Sequence, residues 1–152
     1  MKNSMLLAIC ASVATFATVQ ADEVAQADVA FGEYGEVEMS LTGVAGDAAN
    51  GASVFKNRKL GNCLACHTNS AMSDQQFHGE VGPSLDGVAD RWDVSELRGI
   101  VSNVENTFDG SIMPSFYVIE GLERPLSKFE GKSILTAQQV EDVLAYLQTL
   151  TE

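Results

Sequence analysis

Three side chains within residues 63–67 carry the chemistry of this sequence: Cys63, Cys66 and His67, in the stretch GNCLACHT at 61–68. Two thiols at this spacing beside an imidazole serve a redox dithiol, half of a zinc site, or an anchor for a covalently held macrocycle. A thioredoxin-like CxxC opens a helix that follows a strand. Here the residues before it are KNRKLGN, the end of a helical pattern and a polar loop. Structural zinc takes four ligands. Past residue 21 the thiol and imidazole ligands are Cys63, Cys66, His67 and His78, and His67 abuts Cys66 instead of standing off as part of a second pair.

The macrocycle meets each objection. Two thiols three positions apart reach the two vinyl groups on one edge of a porphyrin and form thioethers. The next residue then lies under the ring, where its imidazole binds iron. CxxCH is the attachment signature of haem c. One covalent haem c on Cys63 and Cys66, with His67 on the iron, is the expectation. The opposite ligand must come from elsewhere. Met113 has the better context: Pro114 holds it extended and stiffens its loop, in a long irregular stretch able to cross the far face of the ring. Met72 follows His67 too closely, and Met39 lies far upstream. His78 is the alternative ligand. A His67/Met113 pair raises the iron potential relative to two histidines, and leaves no open position for a substrate. Around the iron, a carbonyl near Pro83 would accept from the other nitrogen of His67 and fix its tautomer. Arg91 and Trp92 are candidate donors to the haem propionates.

The elements that must position these residues are few. Residues 1–21 read as a cleaved export signal: Lys2, an apolar run from Met5 to about Val19, and the small-residue site ending at Ala21. The run is shorter than the roughly 20 residues a spanning helix needs. Cys10 would leave with it; Ile9 is too large for the position before a lipid-modified cysteine. Export to the periplasm suits haem attachment outside the cytoplasm. Residues 22–45 form an acidic arm, with Asp22, Glu23, Asp28, Glu33, Glu36 and Glu38 and no base. Weak alternation at Val37, Met39 and Leu41 suggests an extended path with one short strand. So acidic a segment does not fold alone; it is loose or laid along something else. The globular part, 46–152, shows three helical patterns. Asp47 caps a helix over 48–58, with Ala48, Ala52 and Phe55 on one face. Asp93 and Glu96 form a capping box for the next, with Val94, Leu97, Ile100, Val101 and Val104 as its stripe. Thr136 and Gln139 cap the last, with Val140, Val143, Leu144, Leu147 and Leu150 inside. The fold class is all-α. Three short helices and two long loops make a thin core, which a buried macrocycle would complete.

Without Lys2 the exported chain has 8 basic and 21 acidic residues, a net charge of −13. This excludes nucleic acid as a partner and disfavours a small anion docking directly on the surface. A basic protein surface is the natural complement.

Together these features resemble the monohaem class I cytochromes c: Gly51 and Phe55 in a first helix, CxxCH at 63–67, Gly82-Pro83-x-Leu85, Met113-Pro114, and Tyr146-Leu147 in a last helix. The resemblance covers 46–152. It implies three to four helices around one haem, with the first and last crossing at Phe55 and Tyr146-Leu147. RKLGNCLACH, GPSLDGVADRW, SIMPSF and the acidic arm leading to SLTG are further similar to the SoxX family, the small cytochrome subunits of SoxAX complexes. That likeness implies a heterodimer with SoxA, whose own haem is the active site. The complex, an L-cysteine S-thiosulfotransferase, oxidatively couples thiosulfate to a cysteine of the carrier SoxYZ. A chain of this kind has no catalytic residue of its own and passes electrons to a soluble cytochrome c. It also suggests that the arm lies along SoxA.

Overall fold

The computed structural model describes residues 22–122 and 124–152; the predicted export segment, with Cys10, lies outside them. Asp47 starts helix α1, Ala48–Lys56. Its carboxylate accepts from the N–H groups of Ala49 at 2.8 Å and Asn50 at 2.9 Å, which answers two donors that the first turn leaves unpaired. Gly51, Val54 and Phe55 form the buried face. Ala48 and Ala52 are only half-buried. Helix α2, Val88–Arg91, is a four-residue turn inside a stretch the sequence reads as irregular. Helices α3, Val94–Asn103, and α4, Ala137–Leu147, carry complete capping boxes at the two predicted pairs, Asp93/Glu96 and Thr136/Gln139. Among the described residues there is no strand; short 3-10 turns punctuate the loops. No helix among them is long and apolar enough to cross a membrane.

The first and last helices cross as the family resemblance implies. Phe55 meets Tyr146 edge to face, with ring centroids 5.3 Å apart. Gly51 makes the crossing close: a Cβ there would stand 1.8 Å from the backbone oxygen of Asp142. Asp142 completes the junction, accepting from the Asp47 N–H at 2.8 Å, from Gln138 Nε2 at 3.0 Å and from the Asn50 amide.

The arm, 22–45, is neither loose nor strand-like. It lies along the chain's own helices. Val37 and Leu41 are buried, while Met39 is exposed, so the weak alternation does not describe one face. Arg98 of α3 and Glu141 of α4 hold the arm from beneath. They form a buried ion pair, Nε to Oε1 at 2.9 Å and Nη2 to Oε2 at 3.2 Å. Arg98 Nη1 donates to the Val37 carbonyl at 2.7 Å, and Leu41 N–H donates to Glu141 Oε1 at 2.8 Å. Gly99 lets the arm approach: a Cβ there would sit 1.8 Å from the Gly35 oxygen. At the other end the Tyr117 hydroxyl donates to the Val24 carbonyl. Burial, aided by the neighbouring Glu23 carboxylate, pushes that phenol up to about 12, so it remains a donor. The surface the arm needs is therefore supplied within the same chain.

Candidate cofactor site

Asn62, in left-handed backbone at φ 49°, turns the chain into a 3-10 turn, Cys63–Ala65. The turn brings both thiols and the imidazole together: the Cys66 and His67 N–H groups both donate to the Cys63 carbonyl, at 3.1 and 3.0 Å. A second loop backs it. Gly79 N–H donates to the Leu64 carbonyl and Gly82 N–H to the Cys66 carbonyl, each at 2.8 Å. At Gly82 a Cβ would stand 2.3 Å from His67 Cε1, so any side chain there would displace the ring. His67 Nδ1 lies 2.7 Å from the Pro83 carbonyl oxygen. A carbonyl can only accept, so Nδ1 carries the proton and the Nε2 lone pair is left for a ligand. This is the arrangement expected from the sequence.

Cys63, Cys66, His67, Pro83, Arg91, Trp92 and Met113 all line one cavity of about 620 Å³, within the range that takes a cofactor-sized group. Its walls are apolar: Phe55 from α1, Leu97 and Val101 from α3, Val143 and Leu147 from α4, with Phe116, Phe129 and Leu135 from the long loop. The loop residues escape the sequence reading because 104–136 has no helical period. The apolar run Phe116-Tyr117-Val118 was the available signal. Met113 enters from the same loop, its N–H on Ser111 Oγ at 3.3 Å.

The rivals for the iron lie elsewhere. Met72 is buried in the core and Met39 is 75% exposed. His78 does not line the cavity. Its Nδ1 accepts from the Asn69 N–H at 3.2 Å and its Nε2 faces the Met72 carbonyl at 3.1 Å, so both ring nitrogens are engaged. Among the described residues no three His, Cys, Asp or Glu side chains converge as a metal site, and Cys2His2 zinc has no geometric support. Burial pushes the Cys63 thiol up to about 12. A redox dithiol needs the opposite, a thiol whose pKa is lowered. Arg91 donates to the carbonyls of Asp86 (2.6 Å) and Ser84 (2.8 Å), which holds its guanidinium on the cavity wall. Trp92 stands edge-on to Phe108, centroids 5.8 Å apart.

These residues fit a haem: two thiols in one turn, an imidazole of fixed tautomer, and an apolar slot with a thioether side chain on its wall. Comparisons agree. Residues 48–151 match the cytochrome c family profile. A chain of SoxXA from P. pantotrophus is 46% identical, with a TM-score of 0.79 over 86% of this chain and 100% of that one. The c-type cytochrome SorU from Sinorhizobium meliloti is 27% identical, with a TM-score of 0.44 over 68% of this chain and 90% of its own. No curated protein matches. The chain belongs to the cytochrome c family and, within it, to the SoxX cytochromes, which bind haem c covalently.

Proposed function

We propose that this chain is a periplasmic one-electron relay, working with SoxA in a heterodimer that couples thiosulfate to a cysteine of the carrier SoxYZ. The observation that carries the reading is the shared cavity, in which a tautomer-fixed His67 and Met113 stand on the wall with Cys63 and Cys66. Bound there, haem supplies a one-electron ferric/ferrous couple. Cys63 and Cys66 anchor its edge. Pro83 holds the Nδ1 proton of His67, which leaves Nε2 as the ligand atom and strengthens it. Met113, on a loop stiffened by Pro114, would be the second residue to hold the iron. Phe55, Leu97, Phe116 and Val143 exclude water from the slot. Arg91, steadied by two carbonyls, and Trp92 are the donors for the propionates. With His67 and Met113 both holding the iron, the haem would offer no position for thiosulfate, so bond formation would belong to SoxA. Its two electrons leave one at a time through this chain to a soluble cytochrome c. Residues 1–21 direct export.

Replacing the thioether tests the site. Met113→Ala should abolish the far-red sulfur-to-iron band of the oxidised holoprotein and lower its potential. A band that survives means that the ligand is another residue. Co-elution of the native protein with a larger haem subunit tests the assembly. A second reading, a free-standing electron shuttle, draws support from the arm, whose apolar and polar needs are met within the chain. It predicts a monomer of native holoprotein in periplasmic extract.

A further inference from the structure

Arg98 and Glu141 hold residues 37–41 of the arm on α3 and α4. The first residues of the arm reach a different part of the molecule, the long loop 104–136 that carries Met113. Tyr117, four residues past Met113, is fully buried. Its hydroxyl donates to the Val24 carbonyl and stands 3.4 Å from Glu23 Oε1. The same carboxylate oxygen accepts from the Ala137 N–H at 3.3 Å, where the loop ends and α4 begins. Val24 is tied back to the arm, its N–H donating to the Leu41 carbonyl at 2.8 Å. Near the loop's start the arm lies against Thr107: a Cβ on Gly35 would stand 2.4 Å from Thr107 Oγ1. The arm therefore meets the loop at its start, at Tyr117 and at its end.

Tyr117 links these contacts to the cofactor cavity. Its N–H donates to the Ser102 carbonyl at 3.3 Å, and the Phe116 N–H donates to the Val101 carbonyl at 3.2 Å. Phe116 and Met113 stand on the cavity wall. A buried phenol needs an acceptor. Among the described residues, both acceptors of this one belong to the arm. Taking them away penalises the seated form of the loop and leaves any unseated form, with Tyr117 wetted, unaffected. We propose that Glu23 and Val24 are positioning residues for the Met113 thioether: through Tyr117 they keep the loop seated on the cavity and the iron closed to outside ligands. The inference rests on the reading of Met113 as an iron ligand. It gives the first residues of the arm a task separate from that of the stretch over Arg98 and Glu141.

Titration of the oxidised holoprotein with imidazole tests this, read from the loss of the far-red sulfur-to-iron band. Tyr117→Phe keeps the ring and loses the hydroxyl. Deleting residues 22–24 removes both acceptors, with the new N-terminus checked by intact mass. Each should raise the apparent affinity for imidazole about fivefold, the contribution of one typical hydrogen bond. The two changes together should do no more than either alone, because they break the same contact. Arg98→Ala removes more stability but leaves Tyr117 its acceptors, and should not raise the imidazole affinity. An affinity unchanged by Tyr117→Phe overturns the proposal. So do effects that multiply in the combined variant. An Arg98→Ala protein as open to imidazole as Tyr117→Phe also overturns it, since general loosening would then be the cause. A wild-type holoprotein without the far-red band sinks the Met113 reading itself and this inference with it.

Discussion

Two long irregular segments of this protein are held in different ways. The arm, 22–45, is fastened by the chain itself: Arg98 and Glu141 bond its backbone from α3 and α4, and Val37 and Leu41 are buried. The Met113 loop, 104–136, is tied to α3 around Ser115–Val118, to the arm through Tyr117 and back to itself at Leu135. Phe116 N–H donates to the Val101 carbonyl and Leu135 N–H to the Phe116 carbonyl, while Ser115 Oγ lies 2.6 Å from the carbonyl oxygens of both Ser102 and Val118, which share its one proton. On either side of those anchors it runs exposed, and it walls the cofactor cavity. The arm should therefore be ordered by protein contacts, and the loop largely by what fills the cavity.

The largest effect should come from preventing haem attachment. Without haem the apolar walls that meet at the cavity of about 620 Å³ face solvent and lose their packing partner, and an ordinary domain is stable by only about 5–15 kcal/mol. Cys63→Ser/Cys66→Ser should yield a chain without covalent haem that fails to fold cooperatively, read as loss of a sharp thermal transition by circular dichroism. A haem-free variant with a normal transition would show that the loop needs no filling.

The arm is broken from within by Arg98→Ala. Its loss leaves Glu141 buried and unpaired, which costs about 3–5 kcal/mol. Denaturant titration of the holoprotein should record that loss, with hydrogen exchange of the arm amides accelerated and the haem spectrum unchanged. Restoring stability with Arg98→Met/Glu141→Leu would confirm that the unpaired charge, and not the lost packing, is responsible. A change in the haem spectrum on Arg98→Ala would mean that the two regions are coupled.

Ser115→Ala tests the loop's own anchor. Removing the hydroxyl deletes the one proton shared by two carbonyls, and a typical hydrogen bond contributes about 1 kcal/mol. The holoprotein should lose about 1 kcal/mol, and with Met113 as the proposed iron ligand its oxidised form should take up added imidazole more readily, read as loss of the far-red band. Arm exchange rates should not move.

What the sequence disclosed follows the same division. CxxCH, Gly82-Pro83 and Met113-Pro114 could be picked out by local spacing, and the structure brings them to the wall of one cavity. Period and caps located the two helices that carry Phe55 and Tyr146, while their crossing was implied by the family resemblance alone. Arg98 and Glu141 were not: on a helix each looks like a solvated charge, and only the arm's path, which has no period, buries them. That Arg58, Lys59, Arg91 and Lys128 all line the cofactor cavity was hidden for a related reason. A total of −13 says nothing about which residues share a wall, and Lys59 and Lys128 are far apart in the chain.

The smallest effect concerns acid, and it touches the loop that backs His67. Asp86 accepts from the Ser70 hydroxyl and from the Ser70 N–H, both at 2.7 Å. The Ser70 side chain, then its backbone N–H, holds the Asp86 carboxyl below its usual range. A carboxylate whose pKa is depressed by folding stabilises the fold above its unfolded pKa, near 3.9, and that contribution fades as pH falls through the lower folded value. At neutral pH the contribution is present in full. Asp86→Asn should therefore lower the melting temperature slightly at pH 7, and the difference from wild type should shrink below about pH 4. Asp86 is exposed, so solvent keeps the effect small. If the two melting curves instead diverge on acidification, the tie between Ser70 and Asp86 is not what steadies this loop.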